Sequence, residues 1–124
     1  MTLRDSILAA RKVGPTLQAE GSHTFQFNFS ADDPTFAGHF PNRPILPGIF
    51  QLEIIHMSAE WILNCKLSVQ EIAKAKFQRP ILPGEILKLN LKLSETENVI
   101  SARGNFVCGG QPAGEAFLKL CRNE

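Results

Sequence analysis

From His23 to Ser30 the apolar residues Phe25, Phe27 and Phe29 alternate with Thr24, Gln26, Asn28 and Ser30. A period of two marks a strand with one face in a core, and Thr16 to Ala19 is expected to pair with it across Gly21. Ahead of this segment, Thr2 and Asp5 stand three residues apart as a helix-opening cap, and Leu3, Ile7, Leu8 and Ala10 mark one apolar face. A short helix is predicted there, stopped at Gly14-Pro15. Between Pro47 and about Cys65 the pattern becomes nearly all apolar: Ile49, Phe50, Leu52, Ile54, Ile55, Met57, Ala59, Trp61, Ile62 and Leu63. With Pro47 suited to a first helical position, this segment reads as a helix buried on most sides. Further strands are predicted at Ala73-Ala75-Phe77 and at Leu87-Leu89-Leu91-Leu93, where Lys88, Asn90 and Lys92 alternate. Two more, Ile100 to Cys108 and Ala113 to Cys121, are joined across Gly109-Gly110.

One central helix against five or six largely antiparallel strands is an α+β arrangement. The 124 residues suffice for a single domain with one modest core. The hexapeptide Arg-Pro-Ile-Leu-Pro-Gly occurs twice, at Arg43 to Gly48 and at Arg79 to Gly84. The first copy leads into the helix and the second into a strand, so the pair reads as two stiff turns rather than a stacked repeat.

Charge narrows the function classes. Thirteen basic residues against twelve acidic ones nearly cancel, and no basic run interleaved with aromatics offers a nucleic-acid surface. The N-terminal segment carries Arg4 and Asp5 where a secretory signal would need an apolar core, and no segment is apolar for long enough to span a membrane. A cytoplasmic protein is the expectation. Cys65, Cys108 and Cys121 are far apart and lack the short spacings of zinc sites, so they read as thiols packed like small hydrophobes.

Glu53 stands out because it falls among Phe50, Leu52, Ile54 and Ile55. A buried carboxylate is costly unless paired or protonated, and desolvation raises its pKa toward that of a general acid working near neutrality. The competing reading places Glu53 on a polar stripe with His56 and Glu60, facing water. Glu53-x-x-His56 also has the spacing of a di-iron helix motif, but such sites need two copies and further carboxylates, and only one copy exists. No metal or other cofactor is expected. His39, between Phe36 and Phe40 in a loop rich in Gly and Pro, is either a base held in an apolar setting or a loop histidine bonded to backbone. The N–H of Gly48, at the expected helix start, is a free donor able to stabilise an enolate-like oxygen.

These residues occur together in Phe36-Ala37-Gly38-His39-Phe40-Pro41-Asn42-Arg43-Pro44-Ile45-Leu46-Pro47-Gly48-Ile49-Phe50-Gln51-Leu52-Glu53. The segment resembles the signature of the 3-hydroxyacyl-acyl-carrier-protein dehydratases of fatty acid synthesis: Gly-His-Phe-Pro, then Pro-x-x-Pro-Gly, then an acid fourteen positions after the His. Lys76-Phe77-Gln78-Arg79-Pro80-Ile81-Leu82-Pro83-Gly84-Glu85 resembles that family's second marker. The resemblance implies a hot-dog fold, a sheet wrapped around one long helix, and homodimers whose sites lie at the interface. It implies that His39 of one subunit removes the α-proton and Glu53 of the other helps the β-hydroxyl leave. The Gly48 N–H would then polarise the thioester carbonyl. Phe40, Pro47, Ile49 and Met57 would contact the acyl substrate, delivered by an acyl carrier protein. Met57 stands where many members have Gln, the His-Arg-Tyr-Pro-Phe segment typical of the family start is missing, and the chain contains no Tyr. A divergent branch is the expectation.

Two other functions fit the same residues. A hot-dog thioesterase uses one carboxylate on this helix to direct water at a thioester carbonyl, and the loop His39 argues against it. A non-catalytic acyl-carrier or acyl-chain binding module is favoured if Met57 and the altered N-terminus have spoiled the site.

Overall fold

The computed structural model describes residues 2–37 and 45–123. Helix α1 (Leu3–Ala10) opens with the predicted capping box: Thr2 Oγ1 accepts from Asp5 N–H and the Asp5 carboxylate accepts from Thr2 N–H. It ends at Ala10 rather than at Gly14-Pro15, because Arg11 is already extended and strand β1 (Arg11–Leu17) begins there. The Arg11 guanidinium lies 4.2 Å from the Trp61 ring centre. Gly14 and Pro15 fall inside β1, at an irregularity in its pairing with β2 (His23–Phe27). A Cβ at Gly14 would meet Thr24 O at 2.6 Å and its φ is +109°, so glycine is what lets the two strands close.

A single turn, α2 (Pro34–Ala37), precedes the central helix α3 (Gly48–Leu63). Pro47 is the residue before the helix, extended at φ −60° and ψ 145°, so it caps α3 instead of occupying its first turn. Asn64 in the left-handed region ends α3. Strands β3 (Leu67–Phe77), β4 (Leu87–Thr96), β5 (Val99–Cys108) and β6 (Gln111–Arg122) complete the chain. All six strands form one sheet in the order β1-β2-β4-β5-β6-β3, every neighbouring pair antiparallel.

Helix α3 buries Phe50, Ile54, Ile55 and Met57 against Phe25, Phe27, Leu89, Leu91, Phe106 and Leu118. Phe25 and Phe27 pack on Trp61 with ring centres 6.0 and 6.4 Å apart. Close approach of helix and sheet is marked at two glycines. A Cβ on Gly104 would stand 2.6 Å from Ile55 Cδ1, and one on Gly114 would stand 2.3 Å from Gln51 Oε1. Strand β3 is longer than its apolar residues predict. After Leu67 every residue is exposed, so no alternation marks it, and its extent comes from pairing with β6 from Leu67–Arg122 to Phe77–Gly114. Among the described residues no helix is long and apolar enough to cross a membrane, and Cys65, Cys108 and Cys121 are free thiols.

Candidate active site

Glu53, His56 and Glu60 lie at i, i+3 and i+7 on α3 and therefore share one side of the helix. That side meets α1 and the start of β3 instead of bulk water. Arg4 of α1 reaches Glu53 Oε1 at 2.9 Å and Glu60 Oε1 at 2.8 Å. His56 stands between the two carboxylates, with Nδ1 3.2 Å from Glu53 Oε1 and Nε2 3.5 Å from Glu60 Oε2. Its Nε2 is also 2.6 Å from Leu67 O, and Leu67 N–H donates to Glu60 Oε2 at 2.9 Å. The side chains of Glu53, His56 and Glu60 are 23 %, 12 % and 14 % exposed, so the stripe is real but covered.

Burial pushes the Glu53 carboxyl up, as the sequence leads one to expect. The close contact and charge of His56, joined by the charge of Arg4, outweigh it and hold Glu53 below the ordinary carboxylate range. The resting chain therefore carries Glu53 as a carboxylate rather than as the neutral acid predicted from desolvation alone. Glu53 pulls the His56 pKa up, against burial, with help from Leu67 O and Glu60. Glu53 Oε1 is closed to solvent without a well-aligned hydrogen bond, so its short contacts to Arg4 and His56 act mainly through charge. Glu53 and Glu60 approach opposite ring nitrogens of His56 and do not converge on a common point. Among the described residues no group of three His, Cys, Asp or Glu side chains is placed to hold a metal ion.

The start of α3 forms a second feature. A cleft of about 290 Å³ is lined by Leu46, Gly48, Gln51, Phe77 and Arg79 among others. Gly48 lies so close to the Phe77 ring that a Cβ there would meet it at 2.6 Å. As the first residue of α3, Gly48 keeps an N–H with no partner inside the helix. Gln51 is 3 % exposed and its Oε1 has no hydrogen-bond partner among the described residues. Sequence reasoning misses Gln51, although a signal for it exists: one carboxamide in an otherwise apolar run, two positions before Glu53. Gly48 and Glu53, five residues apart, look to different sides of α3. Ile49 is exposed at 58 % on the outer side of the helix, and Met57 is buried at 5 % in the core. His39 and Phe40 lie outside the described residues, as does Arg43.

The two turns that share a sequence meet at this end of the molecule. Leu46 N–H donates to Ile81 O at 2.8 Å, tying the entry to α3 to the loop after β3. Arg79 of that loop pairs with Glu85 at 2.9 Å.

Residues 16–111 match the family described as ApeI-like, the ApeI dehydratase. The chain is 35 % identical over 104 residues to the 3-hydroxyacyl-[acyl-carrier-protein] dehydratase FabZ of Actinobacillus succinogenes, covering 77 % of this chain and 69 % of that one. A solved structure, the dehydratase heterocomplex ApeI:P from Xenorhabdus doucetiae, superposes with a TM-score of 0.72 at 30 % identity, over 86 % of this chain and 93 % of the other. A probable thioesterase from Bartonella henselae superposes with a TM-score of 0.63 at 16 % identity, over 81 % and 88 %, and shares the hot-dog fold alone.

Proposed function

Because the chain belongs to the ApeI-like dehydratase family, we propose that it removes water from 3-hydroxyacyl thioesters delivered by an acyl carrier protein in the cytoplasm, as a homodimer with shared sites. The observation that carries this reading is Glu53: a largely buried carboxyl, held by charge on α3, in a chain that matches dehydratases over most of its length. His39 takes the proton from the substrate's α-carbon. The electron pair of that C–H bond becomes the new Cα–Cβ double bond as the Cβ–O bond breaks. Glu53, a carboxylate in the resting chain, must take up a proton before it acts; it then hands that proton to the departing hydroxyl, which leaves as water, and exchange with solvent returns the proton held by His39 to Glu53. The Gly48 N–H, at the positive end of α3, supports the thioester oxygen while negative charge gathers there. Phe40, Pro47 and Ile49 line the acyl path, and Met57 backs it from the core.

Two features support a shared site. Strand β3 is an edge of the sheet, exposed after Leu67 and carrying Val69, Ile72 and Phe77 in the open, which is the kind of edge that proteins cover. Gly48 and Glu53 face different sides of α3, as they would if each served a different site.

The test is formation of enoyl product from a 3-hydroxyacyl thioester on acyl carrier protein, with His39→Ala and Glu53→Gln made separately and then mixed. Each variant alone is expected to lose roughly 10²-fold or more of its turnover. Mixing equal amounts with subunit exchange returns roughly a quarter of the parent activity, because half the dimers are mixed and each holds one intact site. Near-normal turnover by folded Glu53→Gln excludes the acid. Mixed dimers as inactive as their parents exclude sharing. A chain that stays monomeric and works only with a different hot-dog partner, as the heterocomplex of the Xenorhabdus doucetiae protein suggests, would replace the homodimer.

A further inference from the structure

We propose a second activity for the same site: hydrolysis of acyl thioesters that lack a β-hydroxyl, with Glu53 as the base that draws a proton from water. The inference rests on the reading above, in which Glu53 of one subunit faces the substrate's β-oxygen and Gly48 of the other faces the thioester oxygen.

The charges around Glu53 decide which form of it a substrate meets. Arg4 of α1 and His56 of α3 both contact Glu53 Oε1, at 2.9 and 3.2 Å. Glu60 of α3 stands behind them, 2.8 Å from Arg4 and 3.5 Å from the imidazole. From β3 only the Leu67 backbone reaches this group. These are the charged and titratable groups facing Glu53 among the described residues. Arg4 is a permanent cation, so it favours the carboxylate whichever form the His56 ring takes. The direction of the Glu53 shift agrees. Near neutral pH most of the protein therefore holds a base where dehydration needs an acid. The same charges weaken that base, which keeps the reaction slow. Both contacts fall on Oε1, which is closed to solvent, and leave Oε2 for a water molecule.

The substrate supplies the place for that water. In a 3-hydroxyacyl thioester with bonds near 1.5 Å, the hydroxyl oxygen of a folded-back chain lies about 3 Å from the thioester carbon. An acyl chain without the hydroxyl leaves this place to water, at about 3–3.5 Å from the same carbon, which is attacking distance. Glu53 Oε2 takes one proton from the water as its oxygen bonds to the thioester carbon. The carbonyl electron pair moves onto the oxygen, where the Gly48 N–H, unpaired within α3, supports it. The pair then returns, the C–S bond breaks, and the departing sulfur takes the proton from Glu53. A free acid and a carrier thiol result, and Glu53 is a carboxylate again. A substrate that keeps its β-hydroxyl fills the water's place and is spared.

The experiment incubates the full chain with butyryl and 3-hydroxybutyryl thioesters of acyl carrier protein in heavy-oxygen water, and follows carrier thiol, labelled acid and enoyl product by mass spectrometry. Thiol release from the butyryl carrier should be about tenfold or more faster with the parent than with Glu53→Gln, with one heavy oxygen in the acid. The 3-hydroxybutyryl carrier should release thiol at least about tenfold more slowly than the butyryl carrier, since its own hydroxyl excludes the water. Glu53→Asp, which keeps a carboxylate, should retain part of the hydrolysis and keeps the test available if Glu53→Gln does not fold. Thiol release should hold a plateau from neutral pH down to the range in which Glu53 gains its proton. Enoyl formation, which needs Glu53 protonated and His39 neutral, should instead follow a bell. Arg4→Met, at a half-exposed side chain, removes a cation from Glu53 and should move the acid limb of thiol release to higher pH. Normal dehydration with thiol release no faster than in Glu53→Gln overturns the inference alone, as do equal release from the two carriers and an acid limb unmoved by Arg4→Met. Dehydration that persists in folded Glu53→Gln overturns the functional reading beneath it, and the inference with it.

Discussion

Ile45-Leu46-Pro47-Gly48 and Ile81-Leu82-Pro83-Gly84 carry the same side chains in the same order, yet they are anchored by opposite members. In the first, Leu46 is buried at 5 % and its N–H reaches across to Ile81. In the second, Ile81 is buried at 2 % and Leu82 stands 42 % exposed. Gly48 begins a helix and is pressed by Phe77, whereas Gly84 has φ +85° with nothing near its missing Cβ. The residues immediately downstream of each glycine account for the difference. Ile49 opens a run with helical apolar faces. Glu85 instead bends back to accept from Leu82 N–H at 2.8 Å and to pair with Arg79, which closes a turn ahead of the alternating residues of β4. Identical local chemistry thus supplies stiffness in both places, and the downstream pattern decides what the stiff segment builds.

The largest expected effect tests the exchange of anchors. Leu46→Ala and Ile81→Ala should each cost about 2–5 kcal/mol in urea unfolding, while Leu82→Ala stays within about 0.5 kcal/mol. Equal costs for Leu46 and Leu82 would show that the two copies are anchored alike. A smaller effect separates the glycines. Gly84→Ala should cost about 1–2 kcal/mol through its left-handed backbone and leave turnover near that of the parent. Gly48→Ala should do the reverse: Phe77 is half exposed and swings aside, so the unfolding midpoint moves little, but the start of α3 is disturbed and turnover falls on the order of ten- to a hundredfold.

The smallest effect belongs to Glu85, which has no counterpart after Gly48. Leu82 N–H, and after it Arg79, hold the Glu85 carboxyl below its ordinary value of 4.5. A group lowered on folding stabilises the fold above its unfolded pKa and loses that contribution as pH falls through the folded one. Glu85→Gln should therefore unfold slightly more easily than the parent at neutral pH, and the gap should close as the solution is taken below pH 4.5. Parallel curves across the whole acid range would count against the turn closure assigned to Glu85.

Where burial is one-sided, the order of elements is legible in the sequence. The capped α1, the alternating phenylalanines of β2, and β4, β5 and β6 all carry a core face and a water face, and periodicity reports it. Strand β3 is legible only from Ala73 onward, because a strand exposed on both faces has no period to show. The early end of α1 is hidden for another reason: no breaker separates Ala10 from Arg11, and the strand starts where Arg11 pairs with Phe27 of β2. At the site, Glu53 is visible as a carboxylate in an apolar run, and its neighbours His56 and Glu60 as a stripe. Arg4 is not. Its pairing with Glu53 joins residues far apart in sequence and exists only because α1 lies against α3. That contact, with His56, also reverses the expected protonation of Glu53, since desolvation is read from one segment and compensating charge from two.

Gln51 and Gly114 carry a consequence for how this chain can change over successive substitutions. With the carboxamide as it stands, a methyl group across from it on β6 would meet Gln51 Oε1 at 2.3 Å, so the buried side chain would have to turn away. Shortening Gln51 first opens a void, which a folded protein tolerates at a cost, and a larger residue at 114 can then fill it. Taken in the opposite sequence, the first step drives a side chain into an occupied space beside the Lys76 carbonyl. The two sites are therefore coupled in time as well as in space, and a lineage or a selection experiment that ends with Gly114 replaced is expected to change Gln51 first, or to turn its carboxamide aside.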